Sequence, residues 1–205
     1  MADIKHFDPD AVLDEVVRVF WRHGMPATGI QALVTASGVS RSSLYATFGS
    51  KHGLYAAALG RYIEQHSTPA FARLAAAPSG LTAIEEFFTG LIRLRCSGGV
   101  AGWGCLVTNA HAGPECAEPD VRALLDAHHR TLQAAMHSAL TTAAGLGQLR
   151  PSVDLDAAAA TLAMLAYGVN LRSRAGAAAA TLTDAVSATV APLRAHHPPQ
   201  EEPPR

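Results

Sequence analysis

Between Thr28 and Phe48 two short helical periods meet at a single glycine, and no other feature narrows the possible folds of this chain as far. Ile30, Leu33 and Val34 mark one face of a short helix that ends before Gly38, a residue that permits a tight turn. Ser40 can cap a second short helix running to about Phe48, with Val39, Leu44 and Phe48 turned inward. Arg41, Ser42, Ser43, Tyr45 and Thr47 are left for the outside or for partners. Two short helices, a glycine turn and a polar second helix make a helix-turn-helix, whose second helix fits a major groove. The same pattern also suits an ordinary helical hairpin in a bundle.

Another helix comes before this pair. Asp8 can cap it, Pro9 suits its first position, and Asp10 adds charge near the positive end of its dipole. Val12, Val16, Val19 and Phe20 repeat at helical spacing, with Leu13, Val17 and Trp21 widening the buried face. Gly24 and Pro26 stop it. Thr28 and Gln31 have the spacing of a capping box at the start of the next helix. The overall charge of -1 says nothing for nucleic acid, but its distribution does. Between Glu15 and Glu64 lie Arg18, Arg22, Arg41, Lys51 and Arg61 without one acid, a stretch able to follow a phosphate backbone.

The rest of the chain reads as all-α. Alanine is abundant, and β-branched residues never run long enough for a sheet. A fourth helix runs through Leu54, Tyr55, Ala58, Leu59 and Tyr62, with a bend predicted at Pro69 and a further piece to about Ala77. Ile84, Phe87, Phe88, Leu91 and Leu94 define a buried helix. A short buried helix over 104–112, a long one over 120–144 and two last helices over 154–174 and 179–195 complete the prediction. No secretory signal and no apolar stretch of membrane-spanning length is visible, so a cytoplasmic protein without a membrane role is expected. Cys96, Cys105 and Cys116 are odd in number and read as cytosolic thiols.

The run Thr28-Gly29-Ile30-Gln31-Ala32-Leu33-Val34, then Gly38-Val39-Ser40-Arg41-Ser42-Ser43-Leu44-Tyr45, then Phe48-Gly49-Ser50-Lys51 and Leu54, closely resembles the DNA-binding domain of the TetR/AcrR family of repressors. Phe7-Asp8, Phe20-Trp21 and His23-Gly24 resemble the first helix of one branch of that family, which carries a Gly-Cys-Leu segment like Gly104-Cys105-Leu106 in its ligand-binding half. Tyr167-Gly168 and Arg172-Ser173-Arg174-Ala175-Gly176 resemble the same branch. Gly29 and Ala32 depart from the family, which often has a larger residue and an acid there. The resemblance implies a three-helix helix-turn-helix DNA-binding domain over 1–50, a helical effector-binding and dimerisation domain over 51–195, and a Pro-rich tail over 196–205, which its composition predicts to be disordered. It also implies a homodimer through the two C-terminal helices, a near-palindromic double-stranded operator, and release by a small-molecule effector. Repression or activation depends on operator placement. Packing inside one subunit is the alternative reading of the small residues in the last helices.

Family similarity and chemistry then assign roles. Thr28 and Ser40 lie at helix starts, where hydroxyls and amides meet phosphates. Tyr45 can donate its phenol to the DNA backbone, and similar repressors place a phosphate-binding lysine where Lys51 stands. Arg41, Ser42, Ser43 and Thr47 are candidates for base edges. Arg41 either grips a guanine in two places, worth about 1–3 kcal/mol of discrimination, or clamps a phosphate. Ser40 is also readable as a cap only, and Tyr45 as packing. For the effector, Phe88, Leu91, Cys105, Asn109, Met136, Tyr167 and Asn170 are the candidate lining residues.

No cofactor and no metal site is expected. Cys105 reads either as a small buried hydrophobe or as a redox or electrophile sensor, a role some members of the branch imply. Copper sensing would need soft donors, and the spacing of Cys96, Cys105, His111 and Cys116 defines no site. An enzyme is the rival class. His111, Glu115 and Cys116 hint at a base and a thiol, but Gly113-Pro114 interrupts them and no catalytic constellation follows. A helical adaptor that does not bind DNA is the other alternative.

Overall fold

Asp8 begins the first helix as its sequence dictates: its carboxylate accepts the Asp10 N–H at 2.9 Å, and Pro9 follows. In this computed structural model, which describes residues 7–195, the chain is helical almost throughout. The expected tail over 196–205 lies outside the described residues. Helix α1 (Pro9–His23) buries Val12, Leu13, Val16, Val17, Phe20 and Trp21, the face the periodicity predicts. Helices α2 (Ile30–Ser37) and α3 (Arg41–Phe48) turn at Gly38, whose backbone is left-handed at φ 68°.

The start of α2 differs from the expected capping box. Gly29 is the capping residue, and no side chain bonds the first amides. Thr28 points inward, 2% exposed, and its hydroxyl donates to the Gly24 carbonyl at 2.6 Å. The last turn of α1 has carbonyls without helical partners, and a buried hydroxyl beside them satisfies both groups at once.

Helix α4 (Lys51–Tyr62) runs on through a π turn (Ile63–Ser67) into α5 (Thr68–Ala76). Pro69 cannot donate to an α-helical bond and crowds the carbonyl four residues back, and a π turn relieves both conflicts without breaking the rod. Then follow α6 (Leu81–Cys96), α7 (Leu106–His111), a 3-10 turn (Pro114–Ala117), α8 (Pro119–Gly145), α9 (Leu155–Arg174), α10 (Ala179–Val190) and a 3-10 turn (Ala191–Leu193). The turn at 114–117 was expected only as a break. It buries Glu115 under the Tyr55 hydroxyl, which donates to it at 3.3 Å.

Two apolar clusters hold the fold. The body cluster joins α5, α6, α8, α9 and α10 through Phe88, Ile84, Met136, Leu140, Leu162 and Leu182. The head cluster starts in α1–α3 with Phe20, Leu33 and Leu44, and it does not stop at residue 50. It continues through Leu54, Leu59 and Tyr62 of α4, Leu106 and Val107 of α7, and Val121 and Leu125 of α8. Arg61 adds a polar tie from α4 to α1, donating to Asp14 at 2.8 and 3.2 Å. That guanidinium holds the Asp14 carboxyl below its ordinary range. Among the described residues no helix is long and apolar enough to cross a membrane.

Candidate nucleic-acid interface and effector cavity

Helix α3 is pinned from below and open above. Leu44 is fully buried, and Val39 and Phe48 pack half-buried against the head cluster. Ser40 caps the helix, its Oγ accepting the Ser43 N–H at 3.2 Å and lying 3.0 Å from the hydroxyls of both Ser42 and Ser43. Arg41 and Ser42 are exposed, while Ser43, Tyr45 and Thr47 are half-buried on the flanks. The Arg41 guanidinium lies over the Tyr45 ring, 5.3 Å from its centroid, so one stacked pair faces outward. Ser50 caps α4 by accepting the Gly53 N–H at 3.1 Å, which sets Lys51 in the first turn. Sequence reasoning passed over that cap, though serine immediately before a helix is its plain signal. Seven of the eight DNA-contact candidates thus gather at the outer side of α3 and its junction with α4. Thr28 stands apart, with its hydroxyl committed to Gly24. The first amides of α2 meet no capping side chain, while in α3 the Ser43 N–H is taken by Ser40.

The second site is a cavity of about 740 Å³ bounded by the α4–α5 rod, α6, α7, α8 and α9. Leu91, Cys105, Tyr167 and Asn170 line it, as expected. Phe88, Met136 and Asn109 do not. Phe88 and Met136 are fully buried in the body cluster, and the Asn109 amide donates to the Trp103 carbonyl at 2.9 Å. The reason lies in the turn of α6: Phe87 and Leu91 face the cavity, and Phe88 is one helical step around toward the core. Leu94, expected inside, is 46% exposed because it borders this opening.

Polar lining residues that the sequence reading missed are Tyr62, Ser67, Arg95 and His128. Their signal was a polar residue standing in an apolar helical row. Arg95 continues Leu81, Ile84, Phe88 and Ile92, and His128 sits between Leu125 and Leu132. His128 Nε2 lies 3.1 Å from the Ser67 hydroxyl and Nδ1 3.3 Å from the Tyr167 hydroxyl. Burial pushes the His128 imidazole down to about 4, with His111 and His129 nearby adding to the shift. Burial also raises the Tyr167 phenol, with Cys105 and Asp126 adding to it. Arg95, 5% exposed, donates from Nε to Asn170 Oδ1 at 2.6 Å and from Nη2 to the Tyr62 hydroxyl at 3.1 Å. The Tyr62 hydroxyl donates in turn to Cys105 Sγ at 3.5 Å.

Trp21 of the head packs behind two lining residues, Tyr62 and Arg95. Its indole N–H donates to the Gly104 carbonyl at 2.9 Å, and its ring meets Tyr62 and Trp103 edge-on at 5.0 and 5.5 Å. Cys105 is buried, while Cys96 and Cys116 are partly exposed. Among the described residues no three His, Cys, Asp or Glu side chains are grouped to hold a metal ion.

The depressed His128 makes acid sensitivity a direct expectation. Unfolded, an ordinary histidine takes up its proton near 6.5; folded, this one holds out to about 4. The unfolded state therefore binds more protons between those values, and stability falls as pH drops through that window, by up to about 3 kcal/mol. His66 and His111, also lowered by burial, act in the same direction. Urea unfolding measured across this range will show the decline, and His128→Gln will make it shallower. An unchanged slope in that variant would refute the assignment.

Residues 12–58 match the family model described as bacterial regulatory proteins, tetR family, and residues 80–189 match the one described as tetracyclin repressor-like, C-terminal domain. The HTH-type transcriptional repressor ComR of Escherichia coli strain K12 is 28% identical over 187 residues, covering 91% of this chain and 89% of its own. An uncharacterised HTH-type transcriptional regulator of Bacillus subtilis strain 168, YezE, is 29% identical over 146 residues, covering 71% and 74%. A solved structure of the TetR family regulator CifR, a cysteine mutant complexed with a 26-bp double-strand operator, superposes with TM-score 0.78 at 27% identity. The match covers 92% of this chain and 98% of that one. Reduced NemR of Escherichia coli shares the fold, with TM-score 0.76 at 21% identity over 90% and 97% of the two chains.

Proposed function

Because this chain belongs to the TetR family of bacterial regulatory proteins and is a DNA-binding transcriptional regulator, not an enzyme, we propose that it represses from a palindromic operator until a small molecule enters the cavity. The observation that carries this reading is α3. It is a short helix anchored by Leu44, capped by Ser40, and presenting Arg41, Ser42 and the flanks of Ser43, Tyr45 and Thr47 outward. Tyr45, Lys51 and the first amides of α2 and α3 hold phosphates, and Arg41 with its neighbours reads bases.

The protein works as a homodimer in the cytoplasm. Successive major grooves lie about 34–36 Å apart, and two recognition helices are needed to read both half-sites. Support for α9 and α10 as the pairing face comes from Met164 and Leu171, 63% and 51% exposed, with Gly168 between them on the same side of α9. Large apolar side chains on a small-residue helix are what a second copy would cover. The branch with the Gly-Cys-Leu segment is proposed for this chain on the resemblance of Gly104-Cys105-Leu106 alone.

A second reading rests on Cys105, whose thiol lines the cavity and accepts the Tyr62 hydroxyl. An electrophile or oxidant would then act there in place of a reversible ligand. One footprinting experiment serves both readings. Purified protein is expected to protect a near-palindromic segment upstream of its own gene, with affinity falling steeply as salt rises. Absence of any protected segment at low salt would end the proposal. The same footprint with diamide, quinone or Cu(I), run beside Cys105→Ser, tests the thiol: release in the parent alone supports it, and equal behaviour removes it.

A further inference from the structure

Arg95 carries a charge that the described residues leave unmatched. Among the described residues the ion pairs are Arg61 with Asp10 and Asp14, His137 with Asp156, and Arg194 with Glu85. None includes Arg95. Its guanidinium is fixed by two neutral oxygens, on Asn170 and Tyr62, while Nη1 is buried without any hydrogen-bond partner. Holding a guanidinium away from water with no counter-ion is costly, and a group so placed belongs to a site that something else completes.

The surroundings say what completes it. Arg95 lines the cavity beside the buried Cys105 and Asn170, so it stands at the inner end, while the exposed Arg73, Arg93, Glu86 and Leu94 stand at the mouth. The charged lining is thus three arginines against one glutamate. The histidines that face inward, His66 and His128, are both shifted toward the neutral form, so neither competes as a cation. Between the two ends the walls are apolar, with Phe71, Leu74, Leu91 and Leu132. The volume of about 740 Å³ suits a drug-sized molecule.

We infer that the cavity takes a small apolar carboxylic acid as its anion, the carboxylate on the guanidinium of Arg95 and the hydrocarbon body along the apolar walls. The assignment rests on the reading of this cavity as the effector site. Nη1 has no partner and Nη2 makes a single bond, so at least one N–H on each is left, and a carboxylate accepts such a parallel pair in plane. One buried positive charge selects a monoanion.

The same arginine reports occupancy to the head. Its Cζ lies 5.5 Å from the centroid of the Trp21 ring in α1, and its Nη2 holds the Tyr62 hydroxyl at the end of α4. An anion neutralises the guanidinium and draws it toward the cavity. That weakens the cation's hold on Trp21 and shifts Tyr62, two of the groups through which the body grips the helices that carry α3. The ligand then favours a state with different head spacing, as release requires.

The test uses the purified full chain and its footprinted operator, with benzoate, phenylacetate and octanoate against their primary amides. The acids are expected to raise the melting temperature, change the fluorescence of Trp21 and release the operator, with the amides at least tenfold weaker. Trp21→Phe should lose the fluorescence response but still show the melting shift. Arg95→Met should fold, hold the operator less tightly than the parent even without ligand because it lacks the contacts to Trp21 and Tyr62, and lose at least about thirtyfold of the acid affinity read from the melting shift. Arg95→Lys, which keeps the charge but lacks the fork, should recover only part of it. Acids and amides acting alike, no acid of the set shifting the melting temperature, or Arg95→Met responding like the parent would each overturn the assignment. Operator binding by the ligand-free parent is read separately, so its loss would count against the regulator reading and its persistence would leave that reading intact.

Discussion

Replacing Tyr45 and Lys51 together by alanine will reduce operator affinity at least about a hundredfold at moderate salt, with melting changed by only a few degrees. The reasoning starts from what each side chain touches. Lys51 stands in the first turn of α4 and makes no ion pair among the described residues, so its charge is available to a phosphate. Tyr45 is half-buried and holds Arg41 over its ring, so its loss removes a phenol donor and frees the arginine to sample other rotamers. A dimer loses each contact twice. Only the lysine is charged, so two lysine–phosphate contacts are lost per dimer and the plot of log affinity against log salt should flatten by about 2. The core under α3 is left alone, because Leu44 and Phe48 supply it. A double variant that binds like the parent, with the same salt slope, would mean that α3 does not face DNA.

The largest effect on stability is expected at Gly80. Its backbone stands at φ 60° and ψ −117°, a region that side chains with a Cβ hardly enter. The space is closed as well. A Cβ there would lie 2.7 Å from Ala143 Cα and 2.4 Å from Gln148 Oε1. Ala143 belongs to the backbone of α8 inside the body cluster and cannot retreat. Gln148 is the clasp between the two helices, accepting the Leu81 N–H at 2.8 Å and donating to the Ser79 carbonyl at 3.3 Å. Strain and overpacking together put Gly80→Ala at about 3–5 kcal/mol of lost stability, or roughly 10 °C in melting temperature for a chain of this size. Gly60→Ala is the control, since a Cβ there meets nothing within 4 Å inside α4 and should stabilise slightly. Thermal melts of the two variants decide it, and a Gly80→Ala protein as stable as the parent would contradict the packing of α6 on α8.

The head and the cavity differ in how far the sequence could be read. The head was legible because its punctuation is local. Asp8, Gly24, Gly38 and Ser40 act on neighbours a few residues away, and the apolar stripes of α1 and α3 declare themselves. The capping box at Thr28 failed because a buried hydroxyl beside the end of α1 is a tertiary fact, and spacing alone does not report it. The cavity was only half legible for the same reason. Leu91 and Phe88 carry equal hydrophobic signals, and only the rotation of α6 against α8 and α9 separates wall from core. Arg95 and His128 were missed although each breaks an apolar row, since a cation in the last turn of a helix has an ordinary explanation in the helix dipole.

The head's hydrophobic interior is completed by Leu106 and Val107 of α7 and by Val121 and Leu125 of α8, residues more than fifty positions beyond the recognition helix. The reading unit is therefore not a detachable cassette. Transplanting it onto the body of another regulator would carry along an unfilled hollow unless α7 and the first turns of α8 travelled with it. Changes in those two segments, far in sequence from any base contact, can retune which operator is held and how readily it is let go.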